Sequence, residues 1–223
     1  GVMGLTPTMA LASSFAALLS RWTGQRRLLL NLTLFDRHAL NPAVARIVAD
    51  FTNILLLDMD CEGEDFQALA AANQQAFADA YEHNEYSGVE VMRELKKRGC
   101  HPHGAPVVFT SMLGRPLLSD SLAGILGEPG WGISQTPQVW IDHMVIEQGG
   151  GLVLQWDCNE ALFPCGLLDA LFEQYVEWVA RFCAGVEVWK QPLPAELPPS
   201  QRQTRCRVNA TQQPLPRALL HEA

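Results

Sequence analysis

The 223-residue chain is poor in basic residues and has no long apolar run. Lysine and arginine total 16 against 24 aspartates and glutamates, so the formal net charge is -8. This balance argues against a nucleic-acid-binding surface, which usually carries a basic patch. No segment reaches the roughly 18 consecutive apolar residues that a membrane-spanning helix needs, and the first residues lack the pattern of a signal peptide. We therefore predict a cytoplasmic protein that binds neither nucleic acid nor membrane.

The sequence also lacks the patterns typical of metal, nucleotide and hydrolase sites. Its six cysteines are scattered without CxxC pairs, which predicts reduced thiols rather than disulfides or a zinc site. His101 and His103 have no third ligand nearby, so a loop is favoured over a metal site. Gly149–Gly151 is followed by neither a lysine nor a helix, which favours a tight turn over a phosphate-binding loop. We find no nucleophile elbow and no Rossmann fingerprint.

Apolar residues recur at spacings that predict alternating helices and strands. Helical spacing extends over 7–22, 66–81, 88–98 and 168–182. Strand patterns cover 27–37, 51–60, 106–113, 133–145 and 151–163. A hairpin-like link at 148–151 joins the last two strands, and a glycine-rich loop is predicted from 114 to about 132. The order of these elements predicts an α/β fold, with a layered mixed β-sheet, flanking helices and partly antiparallel later strands.

The composition changes near residue 191. Six of the 14 prolines lie in the last 33 residues, and proline-rich stretches favour extended linkers. We therefore predict a folded domain over 1–190 and a proline-rich linker over 191–223.

Three polar residues lie within otherwise apolar strand patterns: Asn31, Thr110 and Asp142. A carboxylate in apolar surroundings is penalised heavily, so it usually has a partner, a chemical role or an exposed edge. Alternation along each strand puts Thr110 on the same face as Val108 and Met112. It likewise puts Asp142 on the same face as Gln138, Trp140 and Met144. If the two strands are neighbours, the hydroxyl and the carboxylate can meet across them. Otherwise both are buried polar residues bonded to backbone. His143 points away from Asp142, so the two cannot act as a pair.

Five consecutive segments resemble signature motifs of the heterocyclization domains of nonribosomal peptide synthetases. They are Gly4–Trp22, "DFTNILLL" (50–57), "PVVFTSML" (106–113), "ISQTPQVWIDH" (133–143) and "LQWDCNEALFPCGLLDALFEQY" (154–175). Segment 209–223 is similar to the stretch that leads such a domain into the following adenylation domain. The resemblance implies a chloramphenicol acetyltransferase-like fold of two lobes, of which residues 1–190 would form the C-terminal lobe. The N-terminal lobe, which carries a DxxxxD motif in the family, is expected to precede Gly1.

The resemblance also implies a reaction. In the family, a carrier-bound acyl or peptidyl donor is joined to carrier-bound cysteine, serine or threonine, and the side chain then cyclises with loss of water to a thiazoline or oxazoline. Thr110 and Asp142 match the threonine of the FTS motif and the aspartate of TPQVxLD, which are implicated in the cyclodehydration. Asn31 matches an asparagine associated with them.

The same resemblance implies partners rather than a directly bound cofactor. The substrates are held on the phosphopantetheine arms of peptidyl carrier protein domains. The other implied partners are the adjacent adenylation domain and the N-terminal lobe of the same domain. Cysteine is the commoner acceptor in the family, but the sequence does not distinguish it from serine or threonine.

The implied chemistry suits these residue types. Ring closure requires a group that both donates and accepts protons near neutral pH, and apolar surroundings raise the pKa of an aspartic acid such as Asp142. Thr110 can relay or position that proton, and Asn31 can hold a carbonyl or amide group. One alternative is a non-catalytic lobe that only docks a carrier or adenylation domain. Another, a plain acyltransferase of the same fold, would need a histidine-bearing motif that the sequence does not show.

Overall fold

Helices and strands alternate along the chain in the computed structural model, which describes residues 4–37, 41–100, 104–114, 118–127, 130–134, 136–194, 197 and 199–211. The helices are α1 (Pro7–Thr23), α2 (Phe66–Tyr81), α3 (Gly88–Lys97), α4 (Asp120–Leu126), α5 (Leu167–Cys183) and α6 (Pro199–Asn209). The strands are β1 (Arg27–Phe35), β2 (Thr52–Asp60), β3 (Val107–Met112), β4 (Ile141–Gln148) and β5 (Gly151–Cys158). Short 3₁₀ helices occupy Pro42–Arg46, Glu160–Leu162 and Val186–Lys190.

Local sequence signals determine where the helices begin and end. The Thr6 side chain accepts a hydrogen bond from the amide of Met9 at the start of α1, and Pro7 follows it at the first helical position. Gly24 ends α1 in the left-handed conformation, which a residue without a Cβ adopts at little cost. A capping box of Ser87 and Glu90 begins α3, as the sequence predicts.

The five strands form one sheet in the order β2-β1-β3-β4-β5. The outer pairs β1–β2 and β4–β5 are antiparallel, whereas β1–β3 and β3–β4 are parallel. This arrangement confirms the predicted mixed sheet with flanking helices. The hairpin between β4 and β5 turns at Gly149 and Gly150, whose φ angles of 60° and 76° are the left-handed values that a two-residue type I′ turn requires.

Helices α1, α2 and α5 cover one face of the sheet and form the core with it. A row of side chains in register crosses all five strands on this face: Leu55, Leu32, Phe109, His143 and Trp156. The fully buried ring of Phe15 on α1 packs on the last three of these rings, with centroid distances between 4.8 and 6.3 Å. Burial of a side chain of this size contributes about 1.5–3 kcal/mol, so the row fixes α1 on the sheet.

Helix α3 lies against β2 near Ile54. A Cβ atom on Gly88, the first residue of α3, would come within 2.7 Å of the Ile54 carbonyl oxygen. The close approach of helix and strand therefore depends on the missing side chain at residue 88. It places Met92 of α3 opposite β1 and β2, where it forms part of a cavity wall.

The strand predicted over 133–145 begins only at Ile141. Pro137 fixes its own φ and lies in a turn with Gln138, whose φ of 67° is left-handed. The prediction that Gln138 and Trp140 belong to the same strand face as Asp142 is therefore wrong, because neither lies in the strand. The prediction that Asp142 and Met144 share a strand face is confirmed.

The predicted glycine-rich loop also contains structure. Helix α4 lies within it, and the Ser119 side chain caps that helix by accepting a hydrogen bond from the amide of Leu122.

The chain forms two compact units, residues 1–193 and residues 194–223. The second unit contains α6, which the prediction of a linker over 191–223 did not include. The boundary at residue 190 stays a prediction. Among the described residues, no helix has both the length and the hydrophobicity to cross a membrane.

Candidate active site

The face of the sheet opposite Phe15 and the core carries a row of polar side chains. Strand register places Asn31 beside Val108, Val108 beside Asp142, and Asp142 beside Asp157. Asn31 and Asp142 are thus separated by one strand, which corresponds to roughly 9–10 Å at the usual spacing of strands. Thr110 lies on that intervening strand, two residues beyond Val108. The structure therefore brings all three residues singled out in the sequence to one face.

A cavity of about 530 Å³ lies over this face. Its polar lining consists of Asn31, Thr33, Thr52, Thr110, Thr136, Gln138 and Asp142. Its apolar lining includes Phe35, Ile54, Met92, Val108, Met112, Val139 and Met144. A mostly apolar wall with a few convergent polar groups, at a volume between about 300 and 1,000 Å³, is typical of a small-molecule site.

Two side-chain oxygens on this face are buried without a hydrogen-bond partner among the described residues. They are Oδ1 of Asn31, a residue only 9% exposed, and Oδ1 of Asp142. A buried polar atom left unpaired costs roughly 1–3 kcal/mol, so folded proteins rarely keep one without a role for it. Asp142 Oδ1 therefore lacks the bond to backbone that the alternative interpretation of Thr110 and Asp142 required. Both oxygens are unpaired, and both residues line the cavity.

Thr110 is held by a second threonine rather than by the carboxylate. Its hydroxyl donates a hydrogen bond of 2.8 Å to the hydroxyl of Thr33 on β1. Thr110 pairs with Met144 in the strand register and Asp142 with Val108, so hydroxyl and carboxylate are diagonal neighbours. The sequence analysis did not single out Thr33, although alternation along β1 already puts it on the same face as Asn31.

The Asp142 carboxyl group is half-buried and its pKa is raised above the ordinary value for an aspartic acid. Burial is the main cause, because it removes water from the charged form. The negative charge of Asp157 adds to the effect, whereas a hydrogen bond with the Ser134 side chain opposes it. The neutral form of Asp142 is therefore favoured to higher pH than usual, as the sequence analysis predicted.

The turn at Pro137 and Gln138 closes one side of the cavity. Left-handed backbone is uncommon for a residue with a side chain and costs of order 1 kcal/mol or more. Here it directs the chain from the wall of the cavity into β4, whose second residue is Asp142. The sequence signal for this turn is the Pro-Gln pair, which the apolar run that follows it at 139–141 concealed.

The two histidines in the described part of the chain, His83 and His143, do not line this cavity. His143 is completely buried on the core face, and its ring contacts Phe15, Phe109, Trp156 and Tyr175 at centroid distances from 4.8 to 5.8 Å. The prediction that Asp142 and His143 point to opposite faces is thus confirmed. His101 and His103 lie outside the described residues. Within the described part of the chain, no group of three histidine, cysteine or acidic side chains is placed to hold a metal ion.

The arrangement can bind an amide and move protons. Asn31 can hold a polar group at one end of the row, and a carboxyl group with a raised pKa lies at the other. An oriented hydroxyl, that of Thr110, stands between them. A substrate lying over β3 would contact all three.

A family model described as the condensation domain matches residues 3–189 of this chain. Phenyloxazoline synthase MbtB of Mycolicibacterium paratuberculosis is 42% identical over 98% of the chain, which spans 19% of that protein. Pyochelin synthetase PchE of Pseudomonas aeruginosa is 37% identical over 92% of the chain, which spans 14% of its length. The chain therefore spans less than a fifth of the curated relatives it matches.

Solved structures agree with these matches. The nonribosomal peptide synthetase FmoA3 superposes with a TM-score of 0.85 and 32% identity over 98% of this chain and 25% of that chain. The EpoB cyclization-docking bidomain from Sorangium cellulosum gives a TM-score of 0.69 and 35% identity over 85% of this chain and 38% of that chain.

Proposed function

Because the chain belongs to the condensation-domain family, as a heterocyclization domain fragment of a nonribosomal peptide synthetase, we propose that it forms the C-terminal lobe of a ring-forming site. The proposed substrates are a carrier-bound acyl or peptidyl donor and a carrier-bound cysteine, serine or threonine. The product is a thiazoline or an oxazoline. The observation that carries this proposal is the cavity that Asn31, Thr110 and Asp142 line together, with unpaired oxygens on the first and last.

The reaction begins with condensation. The acceptor amine attacks the donor thioester, the amide bond forms, and the donor carrier leaves as a thiol. The acceptor side chain then attacks the new amide carbonyl, its S–H or O–H proton is lost, and the carbonyl oxygen becomes a hydroxyl. Departure of this hydroxyl as water and loss of the amide N–H proton leave the C=N bond of the ring.

Asp142 is the proposed proton carrier for the second stage. Its neutral carboxyl group donates a proton to the departing hydroxyl, and the resulting carboxylate accepts the proton from nitrogen, so that its starting form returns. The raised pKa of Asp142 supports this order, because it favours the protonated form with which the step begins. Thr110 is proposed to position or relay this proton, and Asn31 to hold the amide through its side chain.

The names of the relatives support ring formation. MbtB is a phenyloxazoline synthase, and an oxazoline contains a ring oxygen that a serine or threonine acceptor would supply. Carrier domains, an adenylation domain and the N-terminal lobe are the proposed partners, with substrates held on phosphopantetheine arms rather than on a cofactor bound by this chain. The residues after 190 are proposed to lead into the adenylation domain.

The test uses the complete synthetase that contains this chain, with its donor loaded on one carrier and cysteine, serine or threonine loaded in turn on the next. Intact-mass measurement of the acceptor carrier separates the open amide from the ring, which is lighter by one water. We expect the wild-type protein to form the ring with at least one acceptor. Asn31→Ala should form it more slowly, because the side chain that holds the amide is gone.

Gln75→Ala is the matched control, since Gln75 is an exposed amide residue on α2 that bonds Asp79 away from the cavity. It should form the ring at the wild-type rate. The rival interpretation, a lobe that only docks partner domains, predicts the same ring yield for both variants. Equal yields would therefore refute the catalytic proposal.

A further inference from the structure

A second carboxylate lies directly across from Asp142. Asp157 on β5 is its partner in the antiparallel register. The two side chains therefore leave the sheet on the same face, with Cβ atoms roughly 4.5–5.5 Å apart. Like charges in directly opposite positions destabilise a sheet. The fold alone would favour a neutral residue at one of these positions.

Hydrogen-bond donors hold the Asp157 carboxylate in place. The backbone amide of Ser134 donates to its Oδ2 at 2.5 Å. Gln155 Nε2 donates to both carboxylate oxygens, at 3.2 and 3.1 Å, and to the carbonyl oxygen of Gly132 at 3.1 Å. Asp157 and Gln155 thus tie the segment from Gly132 to Ser134 to the sheet.

This segment leads into the wall of the cavity. Thr136, Pro137 and Gln138, which line the cavity, follow it directly along the chain. The Ser134 side chain also lies near enough to Asp142 to lower its pKa. Displacement of the segment would therefore move both the cavity wall and a group that acts on the proposed proton carrier.

We propose that Asp157 is a positioning residue of the ring-forming site, which anchors the segment 132–134 through its hydrogen bonds and keeps a negative charge opposite Asp142. The inference rests on the proposed function only for the role of Asp142 in proton transfer. The pairing of the two carboxylates and the anchoring of the segment stand on the register and the hydrogen bonds.

Among the described residues, Asp157 is the charged neighbour that acts on Asp142. On β5 the next residue, Cys158, carries a thiol whose pKa burial raises to about 11, so it is uncharged at neutral pH. On β3 the neighbours are Val108 and Thr110, which carry no charge. The Ser134 hydroxyl is the remaining group, and it lowers the pKa of Asp142 whereas Asp157 raises it. Removal of the Asp157 charge should therefore make Asp142 more acidic.

The first experiment measures the titration of Asp142 in the 223-residue chain by carboxyl ¹³C resonances of labelled aspartate, assigned with Asp142→Asn. In Asp157→Asn the midpoint should fall by about 0.5–2 pH units, as expected for two charges roughly 6 Å apart at an effective dielectric of about 20–80. The introduced asparagine keeps an acceptor for the Ser134 amide, so the segment should stay in place. An unchanged midpoint would overturn the inference.

Asp79→Asn is the matched control, because it removes the same charge from an exposed position on α2. It should leave the midpoint where it is. Asp157→Ala removes both the charge and the acceptor, and it provides a second reading if the asparagine variant does not fold. It should lower the midpoint and also speed amide hydrogen exchange at Ser134. Unchanged exchange in the alanine variant would overturn the anchoring role.

The second experiment follows ring formation against pH in the complete synthetase. Since the reaction begins with neutral Asp142, the descending limb of the rate should move to lower pH in Asp157→Asn, by the same amount as the midpoint. A residue that only supports the fold would lower the rate without moving the limb. If the wild-type synthetase forms no ring, the proposed function fails, whereas the titration in the chain still decides whether Asp157 acts on Asp142.

Discussion

The exchange of Asp142 for asparagine tests the proton-transfer step more directly than any other change. An asparagine at this position keeps the shape of the side chain and can still accept a hydrogen bond from Ser134, but it cannot donate and recover a proton. General acid–base assistance is typically worth about 10²–10⁴ in rate. We therefore expect ring closure to slow by about that factor, which corresponds to about 2.7–5.5 kcal/mol of activation free energy. Condensation should continue, because it precedes the proposed proton transfer.

The same variant should fold at least as well as the wild-type protein. Asp142 Oδ1 has no hydrogen-bond partner among the described residues, so the exchange breaks no bond at that atom. It also removes a like charge opposite Asp157, a repulsion worth about 0.2–1 kcal/mol. For a domain of this size, 1 kcal/mol shifts the melting temperature by about 2–4 °C. We expect an unchanged or slightly higher melting temperature.

The pH dependence of this stability has a definite sign. The folded state raises the pKa of Asp142, so its ionisation opposes folding as the pH rises. Any gain in stability from the exchange to asparagine should thus be present at neutral pH. It should be absent below about pH 4, where the wild-type aspartic acid and the introduced asparagine are both neutral. Urea unfolding at the two pH values measures it.

The assay for catalysis is the intact mass of the acceptor carrier over time. Asp142→Asn should accumulate the open amide at the wild-type rate and convert it slowly to the ring. Ring formation at the undiminished rate would refute the role of Asp142. Loss of both products together with a lower melting temperature would indicate misfolding rather than a lost proton carrier.

Three further changes test separate parts of the structure. Thr110→Val should slow ring closure by about 10-fold and lower the free energy of unfolding by about 1 kcal/mol, since it removes the 2.8 Å hydrogen bond to Thr33. Carrier masses measure the first effect and urea unfolding measures the second. Gly88→Ala should lower the free energy of unfolding by about 1–3 kcal/mol, because its Cβ would meet the Ile54 carbonyl oxygen at 2.7 Å. An unchanged thermal melt would contradict that contact. His143→Phe should make the free energy of unfolding depend less on pH at acidic pH. Burial lowers the pKa of His143 to about 4, so the wild-type protein should lose roughly 3 kcal/mol between about pH 6.5 and pH 4 in urea unfolding.

Features that depend on neighbouring residues could be predicted from the sequence. Helical spacing predicted α1 and α3, and the glycines at 149–151 predicted the tight turn, because each signal acts within a few residues. Strand alternation correctly placed Asn31 on one face of β1. The turn at Pro137 was missed because the apolar run that follows it at 139–141 imitates a strand, and among the turn residues the unusual conformation is confined to Gln138.

Features that depend on strand order could not be predicted. The cavity exists because β3 lies between β1 and β4 in parallel register, an arrangement set by connections through α2, α3 and α4 rather than by any local pattern. The bond between Thr110 and Thr33 spans 77 residues of sequence. The pairing of Asp142 with Asp157, by contrast, follows from the two-residue turn at Gly149 and Gly150, which fixes the register of the hairpin. Alternation along a strand indicates which of its side chains share a face, whereas only the strand order shows which strands lie next to each other.

Consecutive residues of β4 show how one strand separates packing from chemistry. Burial raises the pKa of Asp142 and lowers that of His143, so each side chain keeps its neutral form over a wider pH range than usual. His143 lies among aromatic rings on the core face, where no substrate in the cavity can contact it. The common acid–base residue of proteins thus serves packing here, and the proposed proton transfer falls to a carboxyl group. His143→Phe should therefore change stability and spare ring closure, and Asp142→Asn should do the reverse. Equal loss of ring closure in both variants would contradict this separation of the two faces.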